Sequence, residues 1–206
     1  MDTVGGREIS GLLAGTALPS ADRMRRLHRR LEENSRRAGI LDVAYTTIDT
    51  PVGTLLLAAT ERGLIRVAYD REDLDRALEI LGTKVSPRIL RAPQRLSVAA
   101  RQIHEYFGRT RKAFDVPVDP SLSNGFRRAV QGTLPRIGYG TTRSYRQVAV
   151  TVGHPQAVRA VATACATNPL PIVVPCHRVV RTDGGLGGYI GGLTAKSALL
   201  ELEAAA

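Results

Sequence analysis

The sequence predicts an α+β protein in two parts: a small N-terminal antiparallel sheet with helices, then a mostly helical half holding a helix-turn-helix and a proline-bounded loop. Three observations carry this. Residues 42–69 hold three β-rich runs separated by short turn signals. Beyond residue 120 the apolar residues recur at helical spacing, broken at Gly153-His154. Between the last helices lie Pro169, Pro171 and Pro175, too many for regular helix.

Residues 1–20 give no firm pattern. Residues 21–37, "ADRMRRLHRRLEENSRR", read as a basic helix with Met24, Leu27 and Leu31 on one face. That stripe is expected to dock while the arginines face solvent, a reading preferred over direct DNA contact by this arm. "DVAYTTID", "GTLLLAAT" and "GLIRVAY" form the meander. Helices are expected at 71–82 and 93–107, the second with Pro93 in its first turn, and "KAFDVPV" is expected to return a strand to the sheet. Further helices are expected at 124–134, 144–152, 155–167 and 194–204, with Ser144 and Thr194 as N-caps. The resulting division is an extension over 1–41, an α+β domain over 42–120 and a helical domain over 121–206.

With 206 residues, 43% of them hydrophobic, the chain can bury a proper core in one or two domains. Its net charge of +10 is ordinary for a nucleic-acid binder and uncommon for a small-metabolite enzyme. Arginine, which dominates the basic residues, suits phosphate. Two cysteines make no disulfide framework and point to a reducing, cytoplasmic setting. No apolar run approaches the ~18 residues of a membrane span, and no secretion signal is read at the N-terminus.

Charge is distributed unevenly. From residue 120 to residue 182 there is no Asp or Glu, yet the interval holds Arg127, Arg128, Arg136, Arg143, Arg146, Arg159, Arg178 and Arg181. A merely solvated surface mixes signs, so this one is expected to meet a polyanion. Within it, 144–167 reads as helix, tight turn, helix, a common way to present a second helix to DNA. Val158, Val161 and Cys165 should face the core. Arg159, Ala162, Thr163 and Ala166 lie on another face, where only Arg159 has reach. Small side chains there suit close, largely sequence-independent binding, with a plain Ala-rich packing helix as the alternative.

"NPLPIVVPCHRVV", residues 168–180, places Cys176 on a rigid, non-helical backbone directly before His177. A positioned nucleophile needs such a backbone, and an imidazole can take a thiol's proton directly or through water. Adjacent residues of an extended chain point apart, so contact between the two requires a bend or a bridging water. Glu201 and Glu203 are candidates to orient the imidazole. A structural Cys beside a satisfied His is the plainest alternative. Zinc lacks a third and fourth ligand at sensible spacing. A thiol hydrolase fits Cys and His but does not need an acid-free face. A cysteine acting on DNA uses every feature. Cys165, on the core face of its helix, reads as structural.

These residues closely resemble the O6-alkylguanine-DNA alkyltransferases, also called methylated-DNA–protein-cysteine methyltransferases. Pro-Cys-His-Arg with Asn-Pro upstream carries the resemblance, extended by "SYRQVA", "AVRAVATACATNP" and "GGYIGGLTAKSALLELE". It is continuous from about 121 to 203 and looser over 42–118, and residues 1–40 fall outside the common core. The resemblance implies suicidal repair of double-stranded DNA containing O6-alkylguanine. The helix-turn-helix would bind the minor groove, the damaged guanine would be flipped out, and its alkyl group would pass irreversibly to Cys176. Arg159 would fill the space left by the base, beside Ala162 and Thr163 at the DNA. Tyr145 would meet the flipped guanine and its phosphate, and Asn168 would hold the turn. His177, oriented by Glu203, would relay the proton from Cys176 through water. Val179 and Tyr189 would line the pocket, with Ile190 in the loop over the base.

Two positions depart from familiar members: Ile190 stands where a small or polar residue often sits, and Ala162 where glycine is frequent. No cysteine precedes Cys165, so no four-cysteine zinc domain, no metal and no cofactor are expected. The expected state is a monomer, with cooperativity along DNA left open, and no membrane partner. A non-catalytic alkylated-DNA recognition protein is the main rival, and the presence of Cys176 argues against it. A transcriptional regulator and a cysteine hydrolase are weaker rivals.

Overall fold

The computed structural model describes residues 20–205, so readings made for residues 1–19 lie outside the described residues. Strands β1 (Val43–Thr50), β2 (Gly53–Thr60) and β3 (Gly63–Tyr69) form the expected antiparallel meander. β4 (Ile89–Arg91), which the sequence did not announce, pairs in parallel with β1 and gives the order β3-β2-β1-β4. Three residues carry too little periodicity to mark a strand. "KAFDVPV" does not return as a strand. It makes a single bridge, Leu64 to Val118. Pro117 has no N–H to donate, which prevents the ladder from extending.

β2 shows no alternation because both its faces are covered. Leu55 and Leu57 point into the main core, whereas Leu56 and Ala58 pack with Ala77 and Leu81. Those last two residues belong to α2 (Leu74–Lys84), which starts later than expected. A 3-10 turn occupies Asp70–Glu72, and the Asp73 side chain then accepts from the amides of Asp75 and Arg76. The other face receives α3 (Ser97–Phe107), entered through a 3-10 turn at Pro93–Leu96. Leu96, Ile103 and Tyr106 share one core with Val130, Leu134, Val161 and Leu199 of the helical half.

α1 (Ala21–Arg37) has the expected bounds but docks by a different face. Met24, Leu27 and Leu31 are exposed at 52%, 47% and 51%, while Glu32 and Ser35 are buried. His28 donates to the carbonyl of Arg91 on edge strand β4. An open strand edge presents backbone polar groups, which an imidazole can satisfy and a leucine cannot.

The helical half comprises α4 (Gly125–Thr133), α5 (Tyr145–Thr151), α6 (Val158–Ala166) and α7 (Gly192–Ala204). A short parallel pair, β5 (Arg143–Ser144) with β6 (Val179–Val180), joins its two ends. Ser144 caps α5 as expected, in a reciprocal box with Gln147. Thr194 is not a cap: α7 begins two residues earlier, with Gly191 at the cap position. α6 also begins later than 155, because the turn from Gly153 (φ 78°) runs through Pro155 to Ala157. Among the described residues no helix is long and apolar enough to cross a membrane.

Candidate active site

Cys176 is 1% exposed and opens a 3-10 turn, Cys176–Arg178, reached through an irregular segment from Asn168. The chain at Cys176 and His177 is therefore bent rather than extended. Asn168, fully buried, holds the segment from inside. Its Nδ2 donates to Val174 O (2.8 Å) and to Cys176 Sγ (3.1 Å), and its Oδ1 accepts from Leu170 N (3.1 Å). A backbone bond from Val67 N to Pro169 O (2.8 Å) ties the segment to β3. Burial pushes the Cys176 thiol up to about 11, against the opposing donor of Asn168. The resting sulfur is thus a neutral thiol.

Glu203 gathers the rest. Its Oε1 accepts from His177 Nε2 (2.8 Å) and Tyr106 Oη (2.7 Å), and Arg178 reaches both oxygens from Nε and Nη2 at 2.9–3.2 Å. Gly140 N donates to Oε2 (3.1 Å). Burial by itself would raise this carboxyl, but bonds from His177 and Arg178 hold it at about 2. An ionised Oε1 can only accept, so the His177 proton sits on Nε2. Tyr106 donates to the same oxygen, which makes its 3.5 Å approach to Nε2 a contact between two donors rather than a bond. Nδ1 is left as the basic nitrogen, buried and without a partner among the described residues. Burial keeps the His177 imidazole below its ordinary pKa, although the nearby carboxylate pulls the other way.

Tyr145 and Val179 share the core of Cys176, and Tyr189 and Ile190 pack against it. Tyr145 is 8% exposed, and its hydroxyl lies against Gly187, where a Cβ would fall 2.7 Å away. Burial pushes the Tyr145 phenol up to about 12. Val179 is fully buried, and its carbonyl accepts from Lys196 Nζ (2.6 Å). Tyr189 and Ile190 are half-buried, with the Tyr189 ring edge-on to His177 at 6.3 Å.

Four participants escaped the sequence reading. Tyr106 comes from α3 in the other half, and no local pattern joins it to Glu203. Tyr69 stands in the same position with respect to Tyr189. Lys196 looks like an ordinary helix residue, yet it is fully buried and donates to Val179 and Leu186 carbonyls. Arg178 was counted with the polyanion-facing arginines, and this is corrected: it is 6% exposed and paired with Glu203. The other seven arginines of the acid-free interval are exposed. A signal for Arg178 did exist, in the Pro-Cys-His-Arg core itself.

On α6, Val161 and Cys165 are buried and Val158 packs against the core, as the spacing required. Arg159 and Thr163 are exposed and Ala162 is half-buried. Arg159 makes no ion pair among the described residues, so its guanidinium is available to an anion. Gln131 Nε2 donates to Ala164 O (2.9 Å) and fixes α6 against α4. Among the described residues no three of His, Cys, Asp and Glu gather as metal ligands.

A basic helix pair beside a buried thiol, whose neighbour in the chain is an imidazole bonded to a carboxylate, is the arrangement expected of a DNA-binding protein with a reactive cysteine. Comparison with known proteins narrows the class. Residues 125–205 match the family described as 6-O-methylguanine DNA methyltransferase, DNA binding domain, and residues 43–120 match its ribonuclease-like domain. A constitutive methylated-DNA–protein-cysteine methyltransferase of Bacillus subtilis is 40% identical, covering 77% of this chain and 94% of its own. One from Methanosarcina barkeri is 37% identical, covering 77% and 96%. The solved O6-methylguanine methyltransferase of Mycobacterium tuberculosis superposes with a TM-score of 0.68 at 37% identity, over 79% of this chain and 93% of that one. A structure of the same mycobacterial protein in complex with DNA matches equally well, again with a TM-score of 0.68. The chain belongs to the 6-O-methylguanine DNA methyltransferase family. The resemblance read from the sequence is thereby borne out, along with the α+β fold class and the assignment as a methylated-DNA–protein-cysteine methyltransferase acting in DNA repair.

Proposed function

We propose that one copy of this chain binds double-stranded DNA, takes an O6-alkylguanine out of the stack and transfers its alkyl group irreversibly to Cys176. Flipping follows from burial: a sulfur exposed to 1% can be reached only by a base that leaves the helix and enters the pocket. Arg159 on α6 occupies the gap in the duplex, with Ala162 and Thr163 letting the helix approach. Tyr145, Val179, Tyr189 and Ile190 enclose the base. Close approach of an acid-free surface supplies the sequence-independent affinity.

In the transfer step, the Cys176 sulfur forms a bond to the alkyl carbon and the carbon–O6 bond breaks, its electron pair staying with the guanine. The thiol proton passes by way of His177 Nδ1, through water, and ends on the guanine. Glu203 holds the imidazole proton on Nε2 and keeps Nδ1 free to accept. Asn168 holds the turn and donates to the sulfur, which stabilises developing thiolate charge. The product is a stable thioether, so each chain acts once.

The observation that supports this reading best is the juxtaposition of Cys176, Asn168 and the His177–Glu203 pair, with Nδ1 unpartnered. Intact-mass spectrometry with peptide mapping, after incubation with an O6-methylguanine oligonucleotide, tests it. One methyl group per chain, on Cys176, is the expected result. An unmodified chain that still binds the lesion would point instead to damage recognition without transfer.

A further inference from the structure

The loop 184–191, which carries Tyr189 and Ile190, has no helix or strand of its own. Its position must be set from outside. Tyr69, the last residue of β3, is 1% exposed, and its hydroxyl lies 2.9 Å from that of Tyr189. The two rings meet edge to face, with centroids 5.9 Å apart and planes at 74°. Gly191 lies flat on the same Tyr69 ring: a Cβ there would fall 2.5 Å from Cζ, an approach only glycine permits. The next residue, Gly192, abuts the Arg71 guanidinium, also from the N-terminal half. Tyr189 in turn sets its ring against His177. A side chain of the sheet thus reaches the reacting group through a single intermediary.

We propose that Tyr69 is a positioning residue for alkyl transfer, which fixes the ring and hydroxyl of Tyr189 so that the N-terminal domain completes the base pocket. This rests on the pocket role given to Tyr189 above. The chemistry favours it. Two hydroxyls sharing one bond leave one O–H uncommitted, and no other partner reaches either among the described residues. With Tyr69 as donor, Tyr189 keeps its own O–H for an acceptor on the flipped purine. Loss of the bond leaves the Tyr189 ring a wider range of orientations in a loop without secondary structure, so fewer encounters place the base against the sulfur.

The test is a double-mutant cycle on the full chain: Tyr69→Phe, Tyr189→Phe and both together. Single-turnover transfer from an O6-methylguanine duplex is measured as the limiting rate and the half-saturating DNA concentration, alongside the thermal midpoint. Tyr69→Phe should lower the limiting rate by ~3- to 10-fold, the worth of one neutral hydrogen bond, with half-saturation unchanged. The double variant should be no slower than Tyr189→Phe alone. A wild-type rate for Tyr69→Phe beside a slow Tyr189→Phe would overturn the proposal while leaving Tyr189 in the pocket. Losses that simply multiply would overturn the coupling. A wild-type rate for Tyr189→Phe would remove both the pocket role and the proposal. A lowered thermal midpoint at unchanged rate would reduce Tyr69 to a packing residue and overturn it too.

Discussion

His177 Nε2 and Glu203 Oε1 lie 2.8 Å apart, both fully buried, and this contact decides which imidazole nitrogen is a base. The carboxylate is itself held by Tyr106, Arg178 and the Gly140 amide, so it cannot turn away. Replacing it by an isosteric amide keeps the shape and removes the charge. Glu203→Gln should slow transfer by ~10²-fold or more, in line with general-base contributions. It should also leave Arg178 buried without its partner, at a cost of about 3 kcal/mol. Single-turnover kinetics and urea unfolding measure the two effects, and an unchanged rate would separate Glu203 from the chemistry.

The pH dependence of the rate distinguishes two routes to the thiolate. Burial places the Cys176 thiol at about 11. If the thiolate had to form before the reaction, the limiting rate would climb tenfold per pH unit from 7 to 9. With His177 neutral throughout that window and accepting the proton within the complex, the rate should be flat. His177→Ala should restore the slope. A slope in the unmodified protein would contradict the relay.

Stability should respond to acid in a defined order. His177 is held below its ordinary value, so its contribution is complete above about pH 6.5 and is lost as pH falls through the lower folded value. Glu203, held at about 2, contributes fully above the ordinary carboxylate value of roughly 4.3 and loses that contribution as pH falls toward 2. Urea midpoints taken between pH 7 and pH 3 should therefore fall progressively. In Glu203→Gln the part below about pH 4.3 should be shallower.

Asn168 makes three hydrogen bonds in a site with no water-exposed alternative. Asn168→Ala strands Leu170 N, at about 1–3 kcal/mol when buried and unpaired, and removes one of the two bonds to Val174 O, which keeps the Cys176 amide. The expected outcome is a clear drop in the unfolding midpoint together with slower transfer. A variant as stable as the parent would mean that the prolines and the backbone bonds of the segment hold the turn without Asn168.

Arg159 is exposed and makes no ion pair among the described residues, so its loss should spare the fold. Arg159→Ala is expected to slow repair in duplex DNA by ~10-fold or more while leaving reaction with a free O6-alkylguanine base nearly unchanged. Equal losses on the two substrates would show that it does not act in flipping the base.

The sequence by itself determined the strand meander, the helical half, the buried face of α6 and the pairing of a rigid thiol with an imidazole. Each of these is a local pattern: alternating or helical spacing, cap chemistry, or prolines that limit the backbone. The acid-free interval was equally legible, because charge can be counted without coordinates. Only the tertiary structure decided that Tyr106 and Arg178 meet at Glu203, that Lys196 is buried against Val179, and that the Tyr69 hydroxyl meets that of Tyr189. It also turned α1 by a face, because an open carbonyl at β4 is satisfied by His28. The physical reason is common to these cases. A hydrogen bond between side chains distant in sequence depends on where two elements pack, and nothing in the spacing of either element records its partner.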